Sequence, residues 1–415
     1  MKLKVLFVFI SFLSLACITS CKGSGPDEGK KDDTPTDSVS EYGATVTLAE
    51  PFATKSVSVR PKVVGWPAEK TPIAPAGYRV VKFAGELKSP RWVYVAANGD
   101  VFVAESEANR ISLFRDTNGD GIADTKSSFL EGLNRPFGML LLGAYFYVAN
   151  TDGLLRYPYK SGDTKLSTKG QKILSLPAGG YNNHWTRNIL ASQDSSSIYV
   201  TVGSGSNVGE NGMEQERRRA NILVVNPEGS NERVFAAGLR NPVGLAWEPS
   251  TGKLWTAVNE RDELGDQLVP DYITSVQENG FYGWPYAYWG KNADPRMKGK
   301  REDLVAESII PDFAVGAHTA SLGLAFSKSN RFQAGAYVGQ HGSWNRSQLV
   351  GYKVLFVPFE NGNPIGEHKD FLTGFVGDGT DAAVYGRPVG IAFAKQGYML
   401  VADDAGNTVW AVVAK

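Results

Sequence analysis

The chain has 415 residues, 42% of them hydrophobic, with 43 basic and 43 acidic side chains and a formal net charge of zero. That balance provides no basic field for nucleic acid, while the length and apolar content allow a large core. The only cysteines, Cys17 and Cys21, stand near the start, which excludes a disulfide framework further along.

In chain order, Met1-Lys2-Leu3-Lys4 and the apolar run Val5 to Ala16 read as a secretory signal over residues 1–21. Ile18-Thr19-Ser20-Cys21 has the apolar, small, small, cysteine order of a lipoprotein processing site and fits it better than Ser14-Leu15-Ala16-Cys17. A lipid on Cys21 is therefore expected, with an ordinary cleaved signal or an uncleaved anchor as the alternatives. The run is short against the roughly 20 residues of a membrane span. Lys22, where an aspartate would argue for inner-membrane retention, favours the outer membrane, on its periplasmic face or at the cell surface. Residues 22–71 are expected to form a polar tether and a lead-in. From Lys22 to about Val46 almost nothing is apolar, too little to order a segment by burial.

From residue 72 to 415 the texture changes to short apolar strands and glycine-rich turns. Strand-turn-strand phrases recur from Pro90-Arg91-Trp92-Val93, Arg135-Pro136-Phe137-Gly138, His184-Trp185-Thr186-Arg187, Arg240-Asn241-Pro242-Val243-Gly244, Ala320-Ser321-Leu322-Gly323 and Arg387-Pro388-Val389-Gly390. A recurrence of this period, without apolar residues at helical spacing, predicts an all-β fold, a six-bladed β-propeller. The repeats place Arg91, Arg135, His184, Arg240 and Arg387 at equivalent strand starts, where they would converge on one mouth of the central channel. An arginine before a strand often only ties neighbouring blades together, but several gathered in one channel repel unless an anion compensates them.

Only four histidines occur, and two lie in compact motifs, Asn183-His184-Trp185 and His341-Gly342-Ser343-Trp344-Asn345-Arg346. Arginine, asparagine and tryptophan beside a histidine can hold a flat anionic ring and supply a base, which points to redox chemistry on an organic cofactor. Asp116, Asn118, Asp120 and Asp124 match the one, three, five and nine oxygen positions of an EF-type calcium loop. Ser127 stands where the bidentate glutamate belongs, so a weak structural ion and a plain acidic turn are both open.

The phrases LRNPVGLAWEPSTGKLWTAVNERDELGDQLVPDYIT at 239–274, GFYGWPYAYWG at 280–290, HTASLGLAF at 318–326, HGSWNRSQLVGYKV at 341–354 and GRPVGIAF at 386–393 resemble the soluble quinoprotein sugar dehydrogenases. Within that superfamily they are most similar to its sorbosone dehydrogenase-like branch. The resemblance covers about 78 to 415 and implies a propeller with pyrroloquinoline quinone (PQQ) and Ca2+ at the channel mouth. It implies His184 as the base that takes a substrate hydroxyl proton, and Arg240, oriented by Asn241, as donor to the quinone oxygen beside the hydride-accepting carbon. Arg387 is the implied partner of the cofactor carboxylates, with Arg91, His341 and Arg346 as additions. Tyr282 and Trp284 form an implied aromatic wall, for which ordinary core packing is the alternative. Calcium is implied at Asn259, Glu260, Arg261 and Asp262, mainly through main-chain carbonyls. Two departures stand out: Asn183 replaces an aspartate, and a single arginine, Arg387, stands where the glucose enzymes have two.

The expected activity is oxidation of a sugar, sugar aldehyde or polyol. No Cys-x-x-Cys-His haem site occurs, so the electrons would leave to a separate carrier, a cytochrome or a quinone. A calcium-dependent propeller hydrolase such as a lactonase, and a noncatalytic binding propeller, are the alternatives.

Overall fold

The computed structural model describes residues 39–379 and 381–415. The expected signal at 1–21, the expected lipid site at Cys21 and the expected tether up to residue 38 lie outside the described residues. Six antiparallel sheets ring a central channel, a six-bladed β-propeller. Their innermost strands are Pro90–Val95, Met139–Leu142, Ile189–Ala191, Pro242–Trp247, Ser321–Phe326 and Pro388–Phe393. These strands follow the six phrases of the sequence repeat. Among the described residues the one α-helix is Glu302–Glu307, and no helix is long and apolar enough to cross a membrane.

The second strand of a blade is covered on both faces by its neighbours, so its sequence is a continuous apolar run rather than an alternation. Val101–Glu105, Leu254–Val258 and Met399–Asp403 are buried at every position. The turn into the first of these uses Gly99 at φ 95°, a conformation that L side chains rarely adopt. The innermost strands pack backbone to backbone around the channel, which explains the glycine that four of the six phrases carry, Gly138, Gly244, Gly323 and Gly390. A Cβ on Gly138 would stand 2.6 Å from Ile189 N, and one on Gly244 would stand 2.6 Å from Leu324 N. Gly244→Ala is therefore expected to destabilise the protein by about 1–3 kcal/mol, read as a lower denaturation midpoint with unchanged slope.

The sixth blade takes its outer strand from the opposite end of the sequence. Tyr78–Ala84 pairs antiparallel with Thr408–Ala414 and closes the ring. Ahead of it the lead-in lies on the propeller. Tyr42–Gly43 adds a fifth strand to the fourth blade, and Lys62–Val63 runs parallel to Ala383–Val384. The expected disorder thus does not extend to Val46. Tyr42 stacks on His368 with ring centroids 4.2 Å apart. Glu41 makes a two-pronged ion pair with Arg346 at 2.6 and 2.9 Å.

Candidate functional site

In an antiparallel blade the first strand starts at the same end of the channel at which the second strand finishes. Both kinds of terminus supply the site. Arg91, Asn241, Leu322 and Arg387 come from the starts of first strands, and His184 from the segment before one. Asn259, Asp262 and His341 follow the ends of second strands. With Trp185 and Trp344 they line a cavity of about 220 Å³. Typical ligand sites hold roughly 300–1,000 Å³, so an occupant of ordinary cofactor size would stand partly out of the mouth, against Trp344, which is 42% exposed. The opposite mouth encloses about 530 Å³, but its lining is mostly apolar, without a histidine or carboxylate. The chemistry is at the first mouth.

His184 Nδ1 lies 2.9 Å from the Ser204 carbonyl oxygen, which can only accept, so Nδ1 carries the proton. Nε2 makes no hydrogen bond among the described residues and keeps its lone pair at the cavity. Burial, reinforced by the charge of Arg240, pushes the imidazole down to about 3. It is neutral and able to accept a proton over the whole physiological range. The ring is held from below: Arg187, fully buried, donates to the carbonyls of His184 and Thr186 at 2.8 Å and to Pro177 at 2.7 Å. A Cβ on Gly203 would press on the His184 Cβ at 2.6 Å.

His341 Nε2 donates to Asp404, with its two oxygens at 2.9 and 3.0 Å. Asp404 also pairs with Arg91 at 2.5 Å. Burial alone would raise Asp404, but His341, Arg91 and Arg387 outweigh it and hold the carboxyl well below its ordinary range. Burial, followed by Arg387, pushes His341 down to about 4. Asp404 thus compensates part of the charge expected to need an external anion.

What is left over is a set of unspent polar atoms. Arg91 Nε and Asn241 Oδ1 are buried with no hydrogen-bond partner. Arg387 gives Nε to the His341 carbonyl at 2.8 Å and one terminal nitrogen to Gly342 at 2.7 Å, leaving the other without a protein acceptor among the described residues. Unpaired polar groups of this kind cost free energy until something pairs them. Guanidinium donors beside an amide acceptor and two tryptophan faces fit a flat, carboxylate-bearing ring. Trp185 is itself stacked by Arg135, 4.0 Å from its centroid, and by Arg91 at 5.1 Å.

Arg240 differs from its expectation. It does not line the cavity, and all five of its N–H groups are spent on protein acceptors. Nε donates to Asn207 O, Nη1 to the carbonyls of Asn259 (3.4 Å) and Glu260 (2.5 Å), and Nη2 to Asn207 Oδ1 and Asp262 Oδ2. It braces the 259–262 segment and acts on His184 through its charge. Calcium at those carbonyls would share them with a guanidinium, using the lone pairs Arg240 leaves and the Asp262 carboxylate. The Arg261 side chain points away, to Glu260, Asp294 and the carbonyls of Pro285 and Ala287. No group of three or more His, Cys, Asp and Glu side chains positioned to hold a metal occurs among the described residues.

Three further expectations at the cofactor are corrected. Arg346 is spent on Glu41 and the Ala317 carbonyl and does not reach the cavity. Tyr282 is 1% exposed, packs in the fourth-blade core and donates to Ser275 O at 2.7 Å. Trp284 is buried and donates to Asn207 O at 2.8 Å, behind Arg240. The aromatic wall is supplied instead by Trp185 and Trp344. Sequence reasoning missed two carboxylate relationships. Asp404 is one; the other is His318, whose nitrogens lie 3.3 Å from Asp262 and 2.8 Å from the Gly265 carbonyl. Burial opposes a charge on His318, but Asp262 outweighs it and raises its proton affinity.

A TrAA12-like family model matches residues 72–279 and 290–415. An uncharacterised protein of Borreliella burgdorferi is 27% identical over 353 residues, covering 81% of this chain and 89% of that one. A pyrroloquinoline quinone-dependent pyranose dehydrogenase of Coprinopsis cinerea is 24% identical over 334 residues, covering 68% of this chain but 44% of that enzyme. The chain thus spans under half the length of that relative. The calcium structure of a Trichoderma reesei enzyme of carbohydrate-active family AA12 shares the fold, with a TM-score of 0.72 at 18% identity, over 85% of this chain and 98% of that one.

Proposed function

The chain belongs to the TrAA12-like family, and on that premise we propose that it is a PQQ- and calcium-dependent dehydrogenase oxidising a sugar, sugar aldehyde or polyol. The observation that carries the reading is His184, with its proton fixed on Nδ1 by Ser204 and a bare Nε2 at a cavity where two arginines keep unspent N–H groups. The name of the Coprinopsis cinerea relative supports the choice of quinone.

Arg387 and Arg91 would hold the cofactor carboxylates, and Asn241 Oδ1 would accept a donor on its edge. The main-chain carbonyls of Asn259 and Glu260, with Asp262, would hold calcium as a Lewis acid toward the quinone. A quinone, when bound, supplies the two-electron acceptor for the hydride that leaves the substrate carbon. The protein's own part is acid–base and electrostatic. His184 Nε2 takes the hydroxyl proton, and the Nδ1–H bond to Ser204 spreads the positive charge that then forms on the ring. Trp185 and Trp344 present flat faces to a sugar ring. On the same reading the protein is an exported lipoprotein at the outer membrane, passing electrons to a separate carrier.

The test is titration of chelator-treated protein with PQQ, with and without Ca2+, followed by a panel of aldoses and aldehydes with an artificial acceptor. Saturable, calcium-dependent binding and bleaching of the quinone by a sugar are the expected result. A folded protein that does not bind the quinone would overturn it and direct attention to hydrolysis of lactones.

A further inference from the structure

The acidic loop at 116–124 is turned onto its own amides: Asp116 accepts from Gly119 N and Gly121 N, Asn118 from Asp120 N, Asp120 from Ile122 N, and Asp124 from Thr117 N. Of the two readings its sequence leaves open, it is the plain acidic turn. Asp404 is the opposite case, a buried carboxylate that serves other blades. It follows the second strand of the sixth blade, Met399–Asp403. It does not line the cavity, but it holds two residues that do, Arg91 at the start of the first blade and His341 after the fifth-blade strand Gly335–Gln340.

The bond to Asp404 fixes the tautomer of His341. Because Nε2–H is given to the carboxylate, the neutral ring has no proton on Nδ1, which makes no hydrogen bond among the described residues. His341 therefore offers the cavity an acceptor and no donor, which is the wrong polarity for an anion. Yet both arginines that keep unspent N–H groups, Arg91 and Arg387, stand close enough to oppose a charge on this ring, after burial itself. A carboxylate drawn to them neutralises the charges that keep the ring unprotonated and leaves in place the one that favours protonation, Asp404. The charged groups facing the ring are thus Arg387 and Asp404 of the sixth blade and Arg91 of the first. Asp403, next in the chain, is spent on Trp66, Trp410 and the amides of Arg387 and Gly406.

We infer that Asp404 is a positioning residue that readies His341 to take up a proton from solvent, so that a carboxylate-bearing occupant enters the cavity together with that proton, held on His341 Nδ1 between the Asp404 carboxylate and its own. The occupant then meets a charged N–H donor, and the bond to Asp404 spreads the charge over the pair. The inference rests on the quinone reading of the cavity.

The test is calorimetric titration of the full chain with PQQ, Ca2+ present, in buffers of different ionisation enthalpy from about pH 5 to 8, where carboxyl groups of ordinary pKa are ionised. The ring of the free protein is held down to about 4 and that of the occupied protein is higher, so the complex holds more protons between the two values. Uptake of about one proton per PQQ is expected near pH 6, with an apparent Kd that rises by up to about tenfold per pH unit until the occupied ring loses its proton. Asp404→Asn is expected to bind PQQ without proton uptake and, at about pH 8, at least as tightly as the wild type, because a negative charge has gone. A merely structural role would weaken binding at every pH and leave the uptake unchanged. Should that variant not fold, His341→Gln, whose amide can still donate to Asp404, carries the same expectation for proton uptake. PQQ binding without proton uptake in the wild type, or uptake that survives either substitution, overturns the inference and leaves the quinone reading standing. A folded protein that does not bind PQQ overturns both.

Discussion

Replacing His184 with alanine is expected to cut turnover by about 10²–10⁴-fold, the usual contribution of a positioned base, while changing PQQ affinity only a few-fold. The asymmetry follows from geometry, since the imidazole meets the cavity with a lone pair and not with a donor that a carboxylate could use. Single-turnover reduction of bound quinone measures the first quantity and absorbance titration the second. A variant that reduces quinone at the wild-type rate would remove His184 from the chemistry. The low proton affinity of the buried His184 ring sharpens the expectation. A base near 3 is weak, and an anionic occupant opposing Arg240 and the buried arginines must raise it. NMR titration should find the His184 ring neutral down to about pH 4 without cofactor, with its pKa moving upward when PQQ is added. Because the free-enzyme pKa is depressed, activity should show no acid limb at the ordinary histidine value of about 6.5.

Arg387→Ala should act on the other quantity. Its guanidinium is held in position by the carbonyls of His341 and Gly342, with one terminal nitrogen unspent. Burial lowers its pKa, so its charge is poorly solvated and an incoming carboxylate is correspondingly welcome. Loss of a charge-assisted hydrogen bond of about 1.5–3 kcal/mol corresponds to roughly 10–150-fold weaker quinone binding, with the rate at saturating cofactor little changed. Arg346→Ala is the control, because Arg346 is paired with Glu41 away from the cavity. Equal losses in the two variants would show that the effect is general destabilisation and not a lost cofactor contact.

Much of this arrangement could be read from the chain because it repeats. Four of the six phrases carry a glycine, Gly138, Gly244, Gly323 and Gly390, that the next blade's backbone approaches too closely for a Cβ, and the residues ahead of each first strand inherit one place at the channel mouth. That is why Arg91, His184 and Arg387 meet at the cavity, with Asn241 beside them, whereas Arg135 and Arg240 of the same expected set do not line it. The failures concern residue types with two uses. An arginine in a polar-aromatic motif can serve a ligand or a neighbouring carboxylate, and Glu41, which claims Arg346, lies in a segment whose composition reads as disordered. Tyr282 and Trp284 sit in an aromatic phrase, but burial and a protein acceptor satisfy both. Asp404 and His318 escaped notice because their importance comes from partners far away in sequence, which no local spacing announces.

The strand Tyr78–Ala84 leaves the ribosome before any blade is complete, yet its partner, Thr408–Ala414, is synthesised last. Until then the nascent chain carries an unsatisfied sheet edge, and such edges template intermolecular pairing. High contact order of this kind slows folding and prolongs exposure. A product truncated before residue 408 would therefore retain five blades' worth of sequence and two open edges, and its expected fate is aggregation or proteolysis, not partial activity.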